Sequence, residues 1–384
     1  MEIRDLTADD LDAVLDIRKR SFGLLAVADA ETWRASVLPT LAQGRYLGAF
    51  DGDRLVATAR LRPFTQWWHG RPQPMAGVAG VTVSPEDRGR GLGTTIMRAA
   101  VARAVSFGDA VSALFPATTP IYRSLGFEHA GARYQVSLPA EALRAVVPSQ
   151  QVKLRRMGPG DAAEVVSVLH RVHAATRASG PMSWGEDIWR LWLADKDDFL
   201  YLADDGFLVY RWDGPDMEVD NLVAGSADTA RALWSIVGSS SSVAKRITAT
   251  VAPDDPVLWL LRERTKDQIT RDPWMFRVLD LPAAVRRRGY PEVVTATAVV
   301  QVNDPLLEGN TGRWRLEFAE GEGSATALEG DAAGPVLTVN AFSALYAGIP
   351  TATLRGGGLM SGDERYDEVL DAAFAARPYM LDHF

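Results

Sequence analysis

The chain contains no cysteine, which excludes disulfides and a thiolate nucleophile, and with the latter any acyl-cysteine intermediate. It also lacks an apolar run approaching the ~18 residues of a membrane-spanning helix, although 47% of its residues are hydrophobic. A soluble globular protein with no membrane partner is therefore expected. No signal-like segment opens the sequence, so a cytoplasmic location is the default expectation. Positive charge is in deficit: 41 Lys and Arg stand against 49 Asp and Glu, a formal net charge of −8. That balance argues against nucleic acid as a partner and favours cationic, amine-rich small molecules. His170 and His173 lie three apart on one helical stretch, but no cysteine or carboxylate cluster completes a ligand set, and no metal is expected. A length of 384 residues predicts two or three domains.

Glycine, by contrast, is plentiful and placed where it matters. Residues 78–100 read as an apolar strand, then Arg88-Gly89-Arg90-Gly91-Leu92-Gly93, then a helix. Glycines lack a Cβ, so their amides can approach phosphate oxygens, and the helix behind them offers unpaired N–H groups and the positive end of its dipole. The turn has no lysine for a G-x-x-x-x-G-K-[ST] loop and lacks the G-x-G-x-x-G spacing of a dinucleotide fingerprint. Its spacing is R-x-x-G-x-G. With Val81-Thr82-Val83 just before it, the segment resembles the acetyl-coenzyme A loop of the GNAT superfamily of N-acetyltransferases, a resemblance covering roughly the first 140 residues.

The elements around the loop follow a matching order. A strand over MEIRDL precedes a helix that Thr7 can cap, with Asp10 three residues on. Strands at 46–50 and 55–61 flank Asp51-Gly52-Asp53, a strong hairpin signal. The 78–83 strand, the 92–105 helix and a 111–115 strand follow, then a short helix and one more strand in TTPIYRSLGFEHAGARYQVSL. The resemblance implies that the fourth and fifth strands part to admit the pantetheine arm as an added strand. It assigns cofactor contacts to Val81, Thr82, Val83, Arg88, Gly89, Arg90, Gly91, Leu92, Gly93, Thr94, Ala117 and Thr118. It also places a general acid at Tyr122, whose phenol can protonate a departing thiolate.

The middle of the chain repeats this element order without the glycine turn: where the loop should recur stands Ser226-Ala227-Asp228-Thr229. A turn with side chains cannot bring amides close to a pyrophosphate, so an inactive acetyltransferase-like unit is expected. From Leu281-Pro282 onward, GRWRLEF, VLTV and an amphipathic 341–348 stretch are similar to a sterol-carrier-protein-type domain. The chain ends in an aromatic tail, Arg377 to Phe384, that calls for burial. Together these features resemble the Eis (enhanced intracellular survival) family of N-acetyltransferases over the whole length. The implied fold is α/β (α+β), with tandem GNAT folds at 1–145 (catalytic) and 146–281 (degenerate) and a sterol-carrier-like domain at 282–384. The resemblance further implies acetyl-CoA as donor, a homo-oligomer of hexamer type, and the C-terminal carboxylate of Phe384 as general base.

Acceptor contacts are expected from Asp29, Trp33, Phe64 and His383, with Trp67, Trp68 and His69 in a loop after the third strand. Acidic groups beside aromatic faces would suit an aminoglycoside, polyamine or lysine-type acceptor. A non-catalytic lipid-binding or scaffolding protein built on the same units is the alternative. The Arg286 to Arg288 run reads as a solvated helix face, and Gly356-Gly357-Gly358 as a loop.

Overall fold

The computed structural model describes residues 1–23, 27–264, 266–330 and 333–384, with only the backbone of 27–29. The first stretch runs β1 (Glu2–Asp5), α1 (Leu11–Phe22), α2 (Val27–Ala42), β2 (Tyr46–Asp51), β3 (Arg54–Trp68), β4 (Arg71–Val83), α3 (Leu92–Ser106), β5 (Val111–Leu114), α4 (Thr119–Arg123) and β6 (Glu128–Pro139). Asp10 accepts from the Thr7 amide at 2.8 Å and closes the turn that leads into α1, while the Thr7 hydroxyl donates to the same carboxylate instead of capping the helix.

The order then repeats as β7 (Arg155–Arg156), α5 (Ala162–Ala175), β8 (Met182–Ser183), α6 (Glu186–Trp192), β9 (Phe199–Ala203), β10 (Gly206–Asp213), β11 (Asp216–Ala224), α7 (Ala227–Ser239), β12 (Arg246–Val251), α8 (Val257–Leu260) and β13 (Gln268–Val278). The remainder is α9 (Leu281–Arg287), β14 (Ala296–Asn303), β15 (Gly312–Ala319), β16 (Glu322–Leu328), β17 (Pro335–Thr338), α10 (Val339–Tyr346), α11 (Thr351–Gly356), β18 (Met360–Gly362), α12 (Asp367–Ala373) and β19 (Tyr379–Met380). Gly356 thus ends a helix rather than lying in a loop. No helix among the described residues is long and apolar enough to cross a membrane.

Two sheets organise these elements. The larger follows β1-β2-β3-β4-β5-β13-β6-β12-β11-β10-β9-β7, and the smaller β16-β15-β14-β17-β18. Strand β13, late in the chain, lies between β5 and β6, antiparallel to both, so the first half-sheet is completed by the segment that ends the second. Its Arg277 is fully buried, donates to the Leu125 carbonyl and grips Asp304 through two contacts of 2.9 Å. Gly126 fits there with φ +87, because a Cβ would collide with that guanidinium.

The β3–β4 hairpin is much longer than the sequence suggests. Residues 62–77 hold Pro63, Pro72 and Pro74, which read as strand breakers, yet the two strands pair from Ala57↔Val83 to Trp68↔Arg71 around a His69-Gly70 turn with positive φ at both residues. Phe64, Trp67 and Trp68 are therefore strand residues, not loop residues. Trp67 packs on His170 and His173, and Trp68 on Trp274, Phe276 and Tyr346, which joins the hairpin to both later thirds of the chain. Arg288 also departs from its expected solvated position: it is fully buried, donates to the Phe374 carbonyl, and faces the rings of Trp68, Tyr346 and Phe374. Its charge is met by aromatic faces in place of water.

Candidate active site

Strands β4 and β5 run parallel and pair only at Met75↔Val111, Ala76↔Ser112 and Gly77↔Ala113. Beyond Gly77 they part, leaving the β5-facing edge of Val78–Val83 without a strand partner. A β-bulge in β4 sets Gly80 and Val81 opposite the single residue Ala59 of β3, with Gly80 at φ +56, and the Thr58 hydroxyl donates to the Gly80 carbonyl at 2.8 Å. Val81 and Val83 remain half-buried against the α3 side, and Thr82 is buried.

Helix α3 begins at the mouth of this fork. Its N-cap is Gly91, in the left-handed conformation at φ +75, with no side-chain cap, and Gly89 sits at φ +80. Nothing lies within 4 Å of where a Cβ would stand at either residue. Glycine is needed there for its backbone conformation, and the space above the amides is open to a ligand. Gly93 differs: a Cβ there would lie 2.9 Å from Ile121 Cδ1, so this glycine serves the packing of α3 on α4.

The arginines of the turn divide in two. Arg90 is tied to Asp87 at 2.5 Å and to Asp51 at 3.2 Å, and Arg54 reaches the same buried Asp87 at 2.5 Å. These guanidiniums hold the Asp87 carboxyl below its ordinary range, the hydrogen bond from Arg54 first. Arg90 therefore clamps the turn onto the β2–β3 hairpin, whereas Arg88 is exposed and has no ion-pair partner among the described residues. Leu92 is buried under α3; Thr94 is half-buried on it, and Ala117 and Thr118 are exposed where the chain passes from β5 to α4.

Tyr122 and Phe384 flank the fork from opposite faces. Tyr122 is 7% exposed and packs with Ala76, Val78 and Leu114, residues of β4 and β5 that point toward α3. Burial raises its phenol above the ordinary value, so it stays protonated at neutral pH. Its hydroxyl makes no hydrogen bond among the described residues. The α4 turn is held from outside by Asn340, which donates to the carbonyls of Arg123 and Phe127 at 3.0 and 2.8 Å. The Phe384 ring lies on the other face, 4.8 Å from Phe64 and 5.5 Å from Phe115, and would meet a Cβ at Gly77 at 2.9 Å. Strand alternation accounts for the split, since Ala76 and Val78 face one way and Gly77 the other.

A cavity of about 190 Å³ opens beside Phe384, lined by α1, α2 and β2–β4. Trp33 and Phe384 border it, together with Arg18, Tyr46, Arg60 and Arg62, none of which the sequence pattern flags. Phe64 sits behind Phe384 and is buried. His383 is exposed, stacks on Phe115 at 4.2 Å and stands 3.8 Å from Asp272, with burial drawing its pKa down. Asp29 falls outside the described side chains. The net charge of −8 raised the expectation of an acidic acceptor site, but the described lining carries three arginines and no acidic side chain, because the chain's carboxylates lie elsewhere on its surface.

The second unit offers the matching positions in a different state. Strands β11 and β12 part after Val219↔Ala249. Ser226 caps α7 by accepting from the Thr229 amide at 3.3 Å, and the Thr229 hydroxyl donates to Asp205 at 2.5 Å. Alongside β6, β12 ends at Val251↔Tyr134 and β19 takes the next positions, Met380↔Arg133 and Tyr379↔Ala132. Asn221 of β11 donates to Asp382 at 3.2 Å.

Family models match three stretches: an acetyltransferase (GNAT) domain at residues 2–130, another at 180–278, and a sterol carrier protein domain at 281–381. The crystal structure of a GCN5-related N-acetyltransferase from Kribbella flavida is 44% identical with a TM-score of 0.95, covering 100% of this chain and 98% of that one. An uncharacterized N-acetyltransferase from Streptomyces griseus is 30% identical over 79% of this chain and 80% of its own length. The N-acetyltransferase Eis of Mycobacterium tuberculosis is 27% identical over 96% of both chains. The forked sheet, the tandem acetyltransferase folds, the sterol-carrier-like third domain and these relatives agree: the chain belongs to the Eis-type N-acetyltransferases of the GNAT superfamily.

Proposed function

We propose that this N-acetyltransferase uses acetyl-CoA as its donor substrate and passes the acetyl group directly to a small amine at the β4–β5 fork. The observation that carries the proposal is the coincidence of an unpaired strand edge, a glycine-started helix with open amides, and a protonated phenol beside the fork. The edge of Val81–Val83 suits the pantetheine amides as an added strand, and the amides behind Gly89 and Gly91, with Arg88, suit the pyrophosphate. Acetyl-CoA supplies the thioester.

Phe384 and Tyr122 then divide the proton traffic. The α-carboxylate of Phe384 takes a proton from the amine as its nitrogen bonds to the acetyl carbon, and Tyr122 gives its phenolic proton to the sulfur as the C–S bond breaks. The amide and the free thiol leave, and proton exchange with water resets both groups. In this reading residues 1–145 form the catalytic unit, 146–281 a unit without its own cofactor site, and 282–384 the domain that delivers the C-terminus. Eis-type resemblance points to polycationic acceptors, while the cavity lining points elsewhere.

Thiol release from acetyl-CoA with a panel of amines tests the proposal. Wild-type protein is expected to turn over, Tyr122→Phe to lower kcat by ~10² or more with acetyl-CoA KM within about twofold, and a peptide appended after Phe384 to abolish activity by turning the carboxylate into an amide. Thiol release with no amine, or full activity in both altered proteins, contradicts it.

A further inference from the structure

Arg18 of α1 and Arg60 and Arg62 of β3 converge on the cavity beside Phe384. Arg60 and Arg62 are two apart on a strand and share a face. Burial presses Arg60 down to about 9 and Arg62 to about 10, and Arg62 adds its repulsion to Arg60. Elsewhere the buried Arg45 meets Asp109 at 2.9 Å and Arg277 meets Asp304, while Arg288 lies among aromatic rings.

The three cavity arginines have no carboxylate partner among the described residues. Arg60 is anchored by neutral oxygens, the Thr40 hydroxyl at 2.8 Å and the Ser36 carbonyl. The Nε of Arg62 is buried with no hydrogen-bond partner, and its guanidinium lies 5.0 Å over the Trp184 ring. Among the described lining residues three arginines stand with Phe384, whose C-terminal carboxylate is the one anionic group, around a space of about 190 Å³. A ligand with several ammonium groups would meet like charge there, whereas a carboxylate or phosphate would supply the missing counter-charge in the paired geometry that guanidinium favours. Trp33, Tyr46, Phe22 and Phe384 complete the wall with aromatic faces for a compact apolar body.

We infer that the acceptor is a small amine carrying its own anionic group, carboxylate or phosphate, which docks on Arg18, Arg60 and Arg62 while the amino group faces the Phe384 carboxylate. This rests on the acetyl-transfer reading of the same fork and narrows it to a substrate class.

Matched acceptors test it by kcat/KM: phenylalanine against phenethylamine, and glucosamine 6-phosphate against glucosamine, with spermidine as the polycation. The first pair reports a carboxylate preference and the second a phosphate preference. At least one member that carries an anionic group is expected to exceed its match without that group, and spermidine, by tenfold or more. Arg62→Met and the more peripheral Arg18→Glu should each cut that preference at least tenfold, with acetyl-CoA KM within twofold; two sites guard against one variant failing to fold. Binding of N-acetylphenylalanine and glucosamine 6-phosphate, read by calorimetry, gives a measure independent of turnover.

A preference for spermidine, or equal rates within both pairs, overturns the inference and leaves acetyl transfer standing. Arginine-dependent binding of either anion without turnover of any amine removes the transfer reading and overturns the acceptor role, leaving only an anion-binding cavity. Neither binding nor turnover removes both.

Discussion

The two acetyltransferase-like units carry the same fork and helix in opposite conditions. In the first, β4 and β5 part after Gly77↔Ala113 and α3 starts on left-handed Gly91 with no side chain over its amides. In the second, β11 and β12 part after Val219↔Ala249, but Ser226 caps α7, Thr229 is tied to Asp205, and β19 follows β12 along β6. On the proposed reading a bare helix start keeps its N–H donors for a pyrophosphate, whereas the Ser226 cap has already engaged the Thr229 amide. The chain end links the two, since it runs beside β6 near the second fork before placing Phe384 at the first.

The shared strand gives the largest expected effect. Arg277 on β13 joins Leu125 of the first unit to Asp304, which follows β14 of the smaller sheet, so Arg277→Met leaves the buried Asp304 carboxylate without its cation. The expected loss is about 3–5 kcal/mol, measured by denaturant unfolding. A loss below about 1 kcal/mol would show that the units are not held together there.

At the helix starts the comparison can be broken directly. Gly91→Val forces a branched residue into φ +75, which costs ~1–2 kcal/mol, and restoring the bound loop should raise acetyl-CoA KM about tenfold. Steady-state thiol release checks this, and an unchanged KM removes the α3 start from the donor site.

The contact between the units carries a pH signature. His173 is buried against Trp67, and desolvation holds its pKa down to about 3. Below pH ~6.5 the unfolded chain takes up a proton that the folded one refuses, so stability should fall as pH drops from about 6.5 toward 3, at up to ~1.4 kcal/mol per pH unit. Above that window this group contributes no slope. His173→Leu should flatten the acid limb in urea titrations at several pH values.

The smallest effect sharpens the contrast from the other side. Ser226→Ala should cost about 1 kcal/mol of stability through the lost cap and leave acetyl-CoA KM unchanged. A raised KM would mean that α7 takes part in donor binding.

Much of this arrangement is legible before any coordinates. Local signals carry far: Thr7 with Asp10, the Asp51-Gly52-Asp53 turn, and the R-x-x-G-x-G spacing each depend on residues within one turn of chain. The lone Arg277 in Trp274-Met275-Phe276-Arg277-Val278 also has a local signal, a single cation in an apolar run, but its partners Leu125 and Asp304 are 152 and 27 residues away. The long β3–β4 hairpin hides behind three prolines. The cavity beside Phe384 hides more completely: Arg60 and Arg62 alternate as strand neighbours should, yet which face they occupy is decided by α1, α2 and the far end of the chain. Arg288 looks solvated among arginines because the rings that receive it come from Trp68, Tyr346 and Phe374.

The central claim is one donor site per chain, at the bare helix start and not at the capped one. Calorimetric titration of coenzyme A into the full-length protein measures it: one equivalent is expected to bind per chain, with an affinity about tenfold weaker in Gly91→Val. Two equivalents, none in the wild type, or one whose affinity is unchanged in Gly91→Val would contradict the account.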